Sequence, residues 1–231
     1  MRRIPFAHTL NTRDLGGYAV SLTQETAYGV LLRSDVPHTL EAHEIDFLLA
    51  RNITTSIDLR RDEELDEIPS ALRNREGFTY HHVSLMGDTR LRNFADDIPA
   101  AYFAMVEEWV SLIQVMRIIA DAPGGVLFHC AVGKDRTGVV AALLLLLAGV
   151  PQLDVIADYQ VTETYIAPLM RKYAALYPEF PVAAARSSAE YMEGFLRRFY
   201  AAYASVEAFL LEGGLTPNQI AFLRDKLLGE G

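Results

Sequence analysis

The amino-acid sequence predicts an α/β fold, in which a small central, mostly parallel sheet is flanked by helices and carries a C-terminal helical layer. Up to Val150, short apolar segments of strand character alternate with helical patterns, an order typical of parallel sheets. After Pro151 the patterns are helical throughout. With 51% of its residues apolar, the chain of 231 residues can bury a core of domain size.

In the first part of the chain, each element follows from an apolar period or a turn signal. Gly16 and Gly17 permit positive φ and indicate a turn within an irregular start. Thr39 is predicted to cap a helix, because its hydroxyl can accept a free backbone N–H. The acidic segment 62–67 is predicted to be a solvated loop or the start of a helix. The other predicted elements are strands at 30–32, 54–59, 78–85 and 126–128, and helices at 40–50 and 100–120.

In the second part, the apolar period predicts helices at 154–164, 166–176, 187–211 and 217–228. Thr216 is in position to cap the last helix, and Pro217 suits its first turn. No flexible linker pattern separates the two parts. We therefore expect one domain over residues 1–231, with an α/β catalytic core at 1–150 and a helical part at 151–231 packed on it.

Charge and cysteine content exclude several classes of protein. The formal net charge of −9 argues against a nucleic-acid-binding protein, which needs basic residues to neutralise backbone phosphates. A single cysteine excludes an intrachain disulfide and fits a reducing compartment. The chain is therefore expected to bind no nucleic acid and to have no disulfide framework.

Membrane insertion and conventional secretion are not expected either. The longest apolar run, Val139–Val150, is shorter than the roughly 20 residues that a bilayer-spanning helix needs. The N-terminus has no apolar run behind its two arginines, unlike a signal peptide. We expect a cytoplasmic protein without stable membrane insertion. Secretion by an unconventional route and the oligomeric state stay open.

The segment between the last predicted strand and the apolar helix carries the candidate chemistry. Residues 129–138 read HCAVGKDRTG, with five residues between Cys130 and Arg136. A short loop that curls into a helix N-terminus presents backbone N–H groups to a bound anion. The guanidinium of Arg136 can hold two phosphate oxygens at once. The predicted phosphate-binding residues are Ala131, Val132, Gly133, Lys134, Asp135 and Arg136.

Cys130 is the predicted nucleophile of this loop. A helix N-terminus and nearby cations favour the thiolate, which is the reactive form of a cysteine. We expect the thiolate to attack phosphorus in line and form a cysteinyl-phosphate, which water then hydrolyses. Thr137 is predicted to hydrogen-bond the sulfur and make it a better leaving group, and His129 to order the loop by hydrogen bonding.

The segment HCAVGKDRTG resembles the signature loop of protein tyrosine phosphatases, in the version of a bacterial-type family. Residues 11–18, NTRDLGGY, are similar to that family's N-terminal block, although Thr12 stands where an aromatic residue is usual. Segments 32–34, 57–60 and 213–216 resemble further family blocks. The resemblance implies a protein-tyrosine-phosphatase-like fold and a phosphomonoesterase. Its expected partner is a phosphorylated protein, on tyrosine first and also on serine or threonine, or a phosphoinositide.

The general acid that protonates the leaving group has several candidates. Such an acid must be a carboxyl group near the ester oxygen. The family resemblance points to Asp135, inside the loop itself. Asp88 and the pair Asp96 and Asp97 lie in the stretch from which many tyrosine phosphatases supply an aspartate, and they stay open as alternatives.

Three further charged residues have two interpretations each. Lys134 is either a solvated loop lysine or a second cation at the rim of the pocket, suited to substrates with several phosphates. Arg13 and Asp14 are predicted to form a structural ion pair that supports the phosphate loop, in preference to contacting the substrate.

No metal and no cofactor are expected. His81 and His82 are adjacent on a predicted strand, so their side chains face opposite ways and are poorly placed to hold one ion. Two other functions stay open. A rhodanese-type sulfurtransferase also uses a cysteine in a backbone-amide loop. A non-catalytic phosphate-binding module would usually lose the nucleophile or the arginine, and this chain keeps both.

Overall fold

The computed structural model describes residues 2–85, 97–177 and 185–230. Within them a mixed sheet of five strands has the order β1-β2-β5-β3-β4. All neighbouring pairs are parallel except β1 with β2. The strands are β1 (Arg13–Asp14), β2 (Leu31–Ser34), β3 (Ile53–Asp58), β4 (Thr79–His82) and β5 (Gly125–His129). The predicted fold class, a small and mostly parallel sheet flanked by helices, is confirmed.

Helices cover both faces of this sheet and form the C-terminal part of the chain. The first four precede β5, and the others follow it. They are α1 (Ala42–Ala50), α2 (Asp62–Glu67), α3 (Ile98–Glu107), α4 (Trp109–Asp121), α5 (Asp135–Ala148), α6 (Gln152–Leu176), α7 (Ala189–Ala202), α8 (Val206–Glu212) and α9 (Pro217–Leu228).

The core is centred on β5 and α5, which follow each other in the sequence. Every residue of β5 is buried, as expected for a strand that is paired on both sides and covered on both faces. Helix α5 is apolar nearly all round because it packs against β5, α6, α8 and α9. A smaller apolar cluster under α1 covers the opposite face of the sheet. Among the described residues, no helix has the length and apolarity needed to cross a bilayer.

Several helix boundaries differ from the predicted ones for local reasons. Glu108 leaves helical geometry and divides the predicted helix 100–120 into α3 and α4. Ser205 starts a new helix, because its Oγ accepts the N–H of Ala208 at 3.0 Å. Conversely, the two helices predicted at 154–164 and 166–176 are one helix, α6. It continues through Pro168, whose exposed position leaves the carbonyl of Thr164 open to water.

The start of α1 corrects the predicted cap at Thr39. The helix begins after Glu41, whose N–H donates to the carboxylate of Glu44 at 2.8 Å. The cap predicted for the last helix is confirmed, since Thr216 Oγ1 accepts the N–H of Gln219 at 3.2 Å. The acidic segment 62–67 is helical, as one of its two interpretations predicted.

Strand register brings three polar side chains to one edge of the sheet. Ser34 at the end of β2 and Asp58 at the end of β3 both lie beside His129 at the end of β5. Parallel strands open their carboxyl ends toward the same edge, where α/β proteins bind their ligands. The loop that starts at Cys130 leaves the sheet at this edge.

Candidate active site

The loop that carries Cys130 joins the buried strand β5 to the buried helix α5. Cys130 is a free cysteine with 1% of its surface exposed, and Lys134 precedes the first residue of α5. Because strand and helix are both fixed in the core, the short loop between them is held at both ends. The elements therefore place Cys130 and Arg136 on either side of a helix N-terminus, as predicted.

The carbonyl oxygens of this loop are held from outside by two side chains of the N-terminal part. Asn11 Nδ2 donates to the carbonyls of Val132 and Gly133 at 2.9 and 3.0 Å. Arg33 Nη2 donates to the Gly133 carbonyl at 2.8 Å. These donors fix the direction of two consecutive peptide units.

A third peptide unit of the loop is fixed in the same way. The carbonyl of Ala131 accepts the N–H of Val36 at 3.1 Å. In a trans peptide unit the carbonyl and the N–H point in opposite directions. The N–H groups of Val132, Gly133 and Lys134 therefore point away from these donors, into the hollow of the loop. Consecutive N–H groups that converge in this way form an anion-binding nest.

Gly133 is required by both backbone conformation and space. Its φ is +68°, a region that residues with a side chain rarely adopt. A Cβ at this position would lie 2.5 Å from the carbonyl oxygen of Ser34. The loop can therefore pass this close to β2 only because residue 133 is glycine.

Asn11 and Arg33 are in turn held by a buried carboxylate on α6. Asp158 accepts Arg13 Nε at 2.8 Å and also pairs with Arg33. Arg13 donates to the side chain of Asn11. One carboxylate thus supports the loop that carries Cys130 through two arginines, with Tyr18 Oη as a further donor at 2.8 Å.

This network corrects the predicted ion pair between Arg13 and Asp14. The two residues are neighbours on β1, so their side chains point to opposite faces. Arg13 pairs with Asp158, and Asp14 accepts the N–H groups of Gly16 at 2.9 Å and Gly29 at 2.7 Å. Asp14 thus orders a turn. Of these two residues, Arg13 alone supports the loop that carries Cys130.

The charge state of Asp158 follows from its partners. Burial alone would raise the pKa of its carboxyl group, but the charges of Arg13 and Arg33 outweigh burial and hold the pKa well below its ordinary value. Asp158 is therefore ionised, and its single negative charge is shared by the two buried guanidinium groups that face it.

Arg136 is oriented by a bidentate pair with Glu64 of α2. The distances are 2.6 Å from Nη1 to Oε2 and 2.8 Å from Nη2 to Oε1. Burial disfavours the charge of Arg136, but the hydrogen bonds with Glu64 outweigh it and raise the pKa of the guanidinium above its ordinary value. For Glu64, burial is likewise outweighed by Arg136, which lowers the pKa of Glu64 to about 2.

His129 is a buried, neutral residue beside Cys130. Its Nδ1 lies 3.3 Å from the carbonyl of Cys130 and its Nε2 lies 3.5 Å from Asp58 Oδ2. Burial lowers the pKa of His129 to about 4, although Asp58 acts in the opposite direction. Its position is compatible with the predicted role of ordering the loop.

Asp135 and Lys134 meet at the start of α5. Lys134 Nζ lies 3.4 Å from Asp135 Oδ1 and donates to the carbonyl of Arg186 at 3.1 Å. Lys134 has 1% of its surface exposed, so the interpretation as a solvated loop lysine is wrong. The Asp135 carboxyl also accepts the hydroxyl of Tyr102 at 2.5 Å.

The remaining candidates have the following positions. Thr137 is buried, and its Oγ1 has no hydrogen-bond partner within the described residues. The predicted bond to the sulfur of Cys130 is thus not formed in this structure, and its role with a departing sulfur stays a prediction. Asp97 caps α3 by accepting the N–H of Ala100 at 2.9 Å and pairs with Arg198, a structural role. Asp88 and Asp96 lie outside the described residues. The described residues contain no cluster of metal-ligating side chains.

Four residues of the site were not assigned a role from the sequence. Asn11 and Arg33 lie in segments that resemble family blocks. The sequence therefore marked these segments, but it did not show which atoms the two side chains would contact. Glu64 was part of an acidic segment, and Asp158 of a helical pattern. No local pattern connects either carboxylate with an arginine 72 or 145 residues away.

Named relatives are similar to different shares of this chain. A tyrosine-protein phosphatase of Nostoc commune is 36% identical over 133 residues, 52% of this chain and 44% of that protein. A Cupriavidus necator homologue whose name includes tyrosine-protein phosphatase is 29% identical over 219 residues, 87% of this chain and 80% of that protein. The triple specificity protein phosphatase PtpB of Mycobacterium tuberculosis is 28% identical over 138 residues, 52% of this chain and 49% of that protein. The chain thus matches about half of two of these relatives.

The similarity to solved structures is low, whereas a family model matches nearly the whole chain. The crystal structure of TpbA from P. aeruginosa has 16% identity and a TM-score of 0.44, covering 87% of this chain and 98% of that chain. A similarity this low carries no argument about function. Residues 4–229, in contrast, match the model of the tyrosine phosphatase family. This chain belongs to the tyrosine phosphatase family.

Proposed function

We propose that this protein is a cysteine-dependent phosphomonoesterase that acts first of all on phosphotyrosine in proteins. The observation that carries the proposal is the loop from Cys130 to Arg136, whose fixed carbonyls turn consecutive N–H groups into its hollow. A phosphate dianion in this hollow would meet the sulfur of Cys130 on one side and backbone donors around it. The family match over residues 4–229 supports treating the α/β core and the helical part as one phosphatase domain.

In the first step, the thiolate of Cys130 attacks phosphorus in line. The sulfur–phosphorus bond forms while the bond from phosphorus to the leaving oxygen breaks. Asp135 gives its proton to that oxygen, so the alcohol or phenol departs neutral. Arg136, held by Glu64, binds two of the phosphoryl oxygens as charge spreads over them.

In the second step, water hydrolyses the cysteinyl-phosphate. Asp135, now ionised, takes a proton from the attacking water, and the new oxygen–phosphorus bond displaces the sulfur. Inorganic phosphate leaves and the thiolate is restored. The unpartnered hydroxyl of Thr137 is available to donate to the departing sulfur, which stabilises its negative charge.

Substrates beyond phosphotyrosine belong to the same proposal. A relative at 28% identity is named a triple specificity protein phosphatase, which supports testing phosphoserine, phosphothreonine and phosphoinositides. Lys134 is a second cation in the loop and would attract substrates that carry more than one phosphate.

The test is a panel assay with the purified protein. The substrates are p-nitrophenyl phosphate, a phosphotyrosine peptide, a phosphoserine peptide and a phosphoinositide, each with a chelator present. We expect turnover that Cys130→Ser abolishes and the chelator leaves unchanged. Turnover retained by Cys130→Ser would refute the mechanism. Binding of phosphopeptide without turnover by either protein would instead indicate a phosphate-binding module, and cyanide-dependent sulfur transfer from thiosulfate a rhodanese.

A further inference from the structure

Two buried tyrosines from different helices form a chain of hydrogen bonds that leads to the carboxyl group of Asp135. Tyr102 of α3 and Tyr159 of α6 have 0% and 1% of their surfaces exposed. Tyr102 Oη lies 2.5 Å from Asp135 Oδ1 and 2.6 Å from Tyr159 Oη. The three groups form a short chain of hydrogen bonds that ends at the loop.

The direction of this chain follows from the chemistry of its members. An ionised carboxylate only accepts, so Tyr102 donates its proton toward Asp135, and its oxygen then accepts from Tyr159. Burial and the negative charge of Asp135 raise the pKa of both phenols far above the ordinary value. Both tyrosines therefore stay protonated, and the order of donors is fixed.

The two oxygens of Asp135 are thereby distinguished. Tyr102 donates to Oδ1, and Lys134 Nζ lies 3.4 Å from the same oxygen. In the described part of the chain, Oδ2 accepts no hydrogen bond. When the carboxyl group is protonated on Oδ2, Oδ1 is a carbonyl oxygen and still accepts from Tyr102. The contact is thus compatible with both protonation states of an acid–base group.

A glycine of the loop motif serves the same arrangement. A Cβ on Gly138 would lie 3.2 Å from Cδ2 of Tyr159, a contact tighter than side chains usually make. Gly138 therefore lets the ring of Tyr159 lie close against the first turn of α5. The rings of Tyr102 and Tyr159 meet edge to face with centroids 5.9 Å apart, which fixes the position of both hydroxyls.

We propose that Tyr102, held by Tyr159, is a positioning residue that orients Asp135 so that Oδ2 carries the proton for the leaving group. This inference rests on the proposed phosphatase function and on Asp135 as the general acid. It assigns to α3 and α6, which contribute no predicted substrate contact, an effect on the protonation step that acts through Asp135.

The test compares leaving groups, because a poor leaving group depends on the acid and a good one does not. We would measure kcat/KM of wild type and Tyr102→Phe for phenyl phosphate and 2,4-dinitrophenyl phosphate. The variant keeps the ring and loses only the hydroxyl. We expect kcat/KM for phenyl phosphate to fall about tenfold, with the dinitrophenyl ester nearly unchanged, because a misplaced acid loses part of a contribution of about 10²–10⁴.

A double-mutant cycle separates positioning from general loss of structure. In an Asp135→Asn background, Tyr102→Phe should have no further effect on phenyl phosphate. Tyr159→Phe, which removes the second donor and is the alternative variant if Tyr102→Phe does not fold, should cause a smaller loss with the same leaving-group dependence. Tyr200→Phe, at a partly exposed position of α7, is the matched control.

Two outcomes would overturn the inference while the proposed function stands. One is an equal loss for both esters, which would indicate a structural role alone. The other is a full additional loss in the Asp135→Asn background. If wild type itself shows no turnover of either ester, the proposed function fails instead.

Discussion

Arg136 and Glu64 form a bidentate pair that joins the end of the phosphate loop to the short helix α2, with nitrogen–oxygen distances of 2.6 and 2.8 Å. Glu64 also accepts the N–H of Arg61 at 3.0 Å, so its carboxylate is held in turn. A guanidinium fixed in this way keeps its orientation before any substrate arrives. In the proposed mechanism Arg136 would thus be preorganised, and a charge-stabilising group contributes most to catalysis when it is preorganised.

Glu64→Gln is expected to lower kcat/KM about 10- to 100-fold, because a charge-assisted bidentate contact contributes about 1.5–3 kcal/mol. The variant keeps the shape of the side chain and removes its charge. Glu63→Gln, at the exposed neighbouring position, is the control and should match wild type. Equal kcat/KM values for the two variants would contradict the role given to Glu64.

Asp158→Asn is expected to lower the free energy of unfolding by about 3–5 kcal/mol, since it leaves two buried guanidinium groups without a counter-charge. Urea denaturation of wild type and variant measures the change. Asp154→Asn changes an exposed carboxylate on the same helix and should have little effect. A stable Asp158→Asn variant would show that Arg13 and Arg33 find other partners.

His129 predicts a pH dependence of stability. Its pKa is lowered from 6.5 to about 4 in the folded protein, so between these values the unfolded chain binds a proton that the folded chain does not. Above pH 6.5, His129 does not lower the free energy of unfolding. As the pH falls from 6.5 toward 4, the free energy of unfolding decreases by about 1.4 kcal/mol per pH unit. Unfolding free energies over this range should fall less steeply for His129→Gln. Parallel curves would contradict a buried neutral histidine.

Gly133→Ala is expected to destabilise the loop and to weaken competitive inhibition by inorganic phosphate. Two effects combine, a φ of +68° and a Cβ placed 2.5 Å from the Ser34 carbonyl. Gly29→Ala separates them, because Gly29 has a φ of +75° and nothing within 4 Å of its Cβ position. The control should cost about 1 kcal/mol, the strain of positive φ alone. Similar losses in both variants would mean that the close approach to Ser34 does not matter.

The sequence was sufficient for four of the five described strands, for the loop and for the helix that follows it. It missed β1, a strand of two residues in the start that was predicted to be irregular. Cys130 and Arg136 lie within one contiguous segment, so their placement depends on local geometry that a strand, a loop and a helix pattern determine together. The last helix was predicted with its cap because Thr216 and Gln219 are three residues apart. Patterns between residues this close in the sequence can be recognised without knowledge of the fold.

The contacts that hold the side chains of the site in place could not be predicted in the same way. The partner of Arg13 was expected to be its neighbour Asp14, but strand geometry turns the two apart, and Asp158 lies 145 residues away. Tyr102 and Asp135 come together only because α3 packs against α5. Such contacts are determined by how helices pack. The period of the apolar residues shows which face of a helix is buried, but it does not show against which other helix that face packs.

Trapping the covalent intermediate is the sharpest test of whether Cys130 is the nucleophile. The protein would be mixed rapidly with p-nitrophenyl phosphate, quenched in acid and digested, and the peptide that contains Cys130 analysed by mass spectrometry. We expect a phosphate adduct on Cys130 that forms within one turnover, decays as phosphate is released and is absent from Cys130→Ser. Continued turnover with Cys130 unmodified at every time point would contradict it.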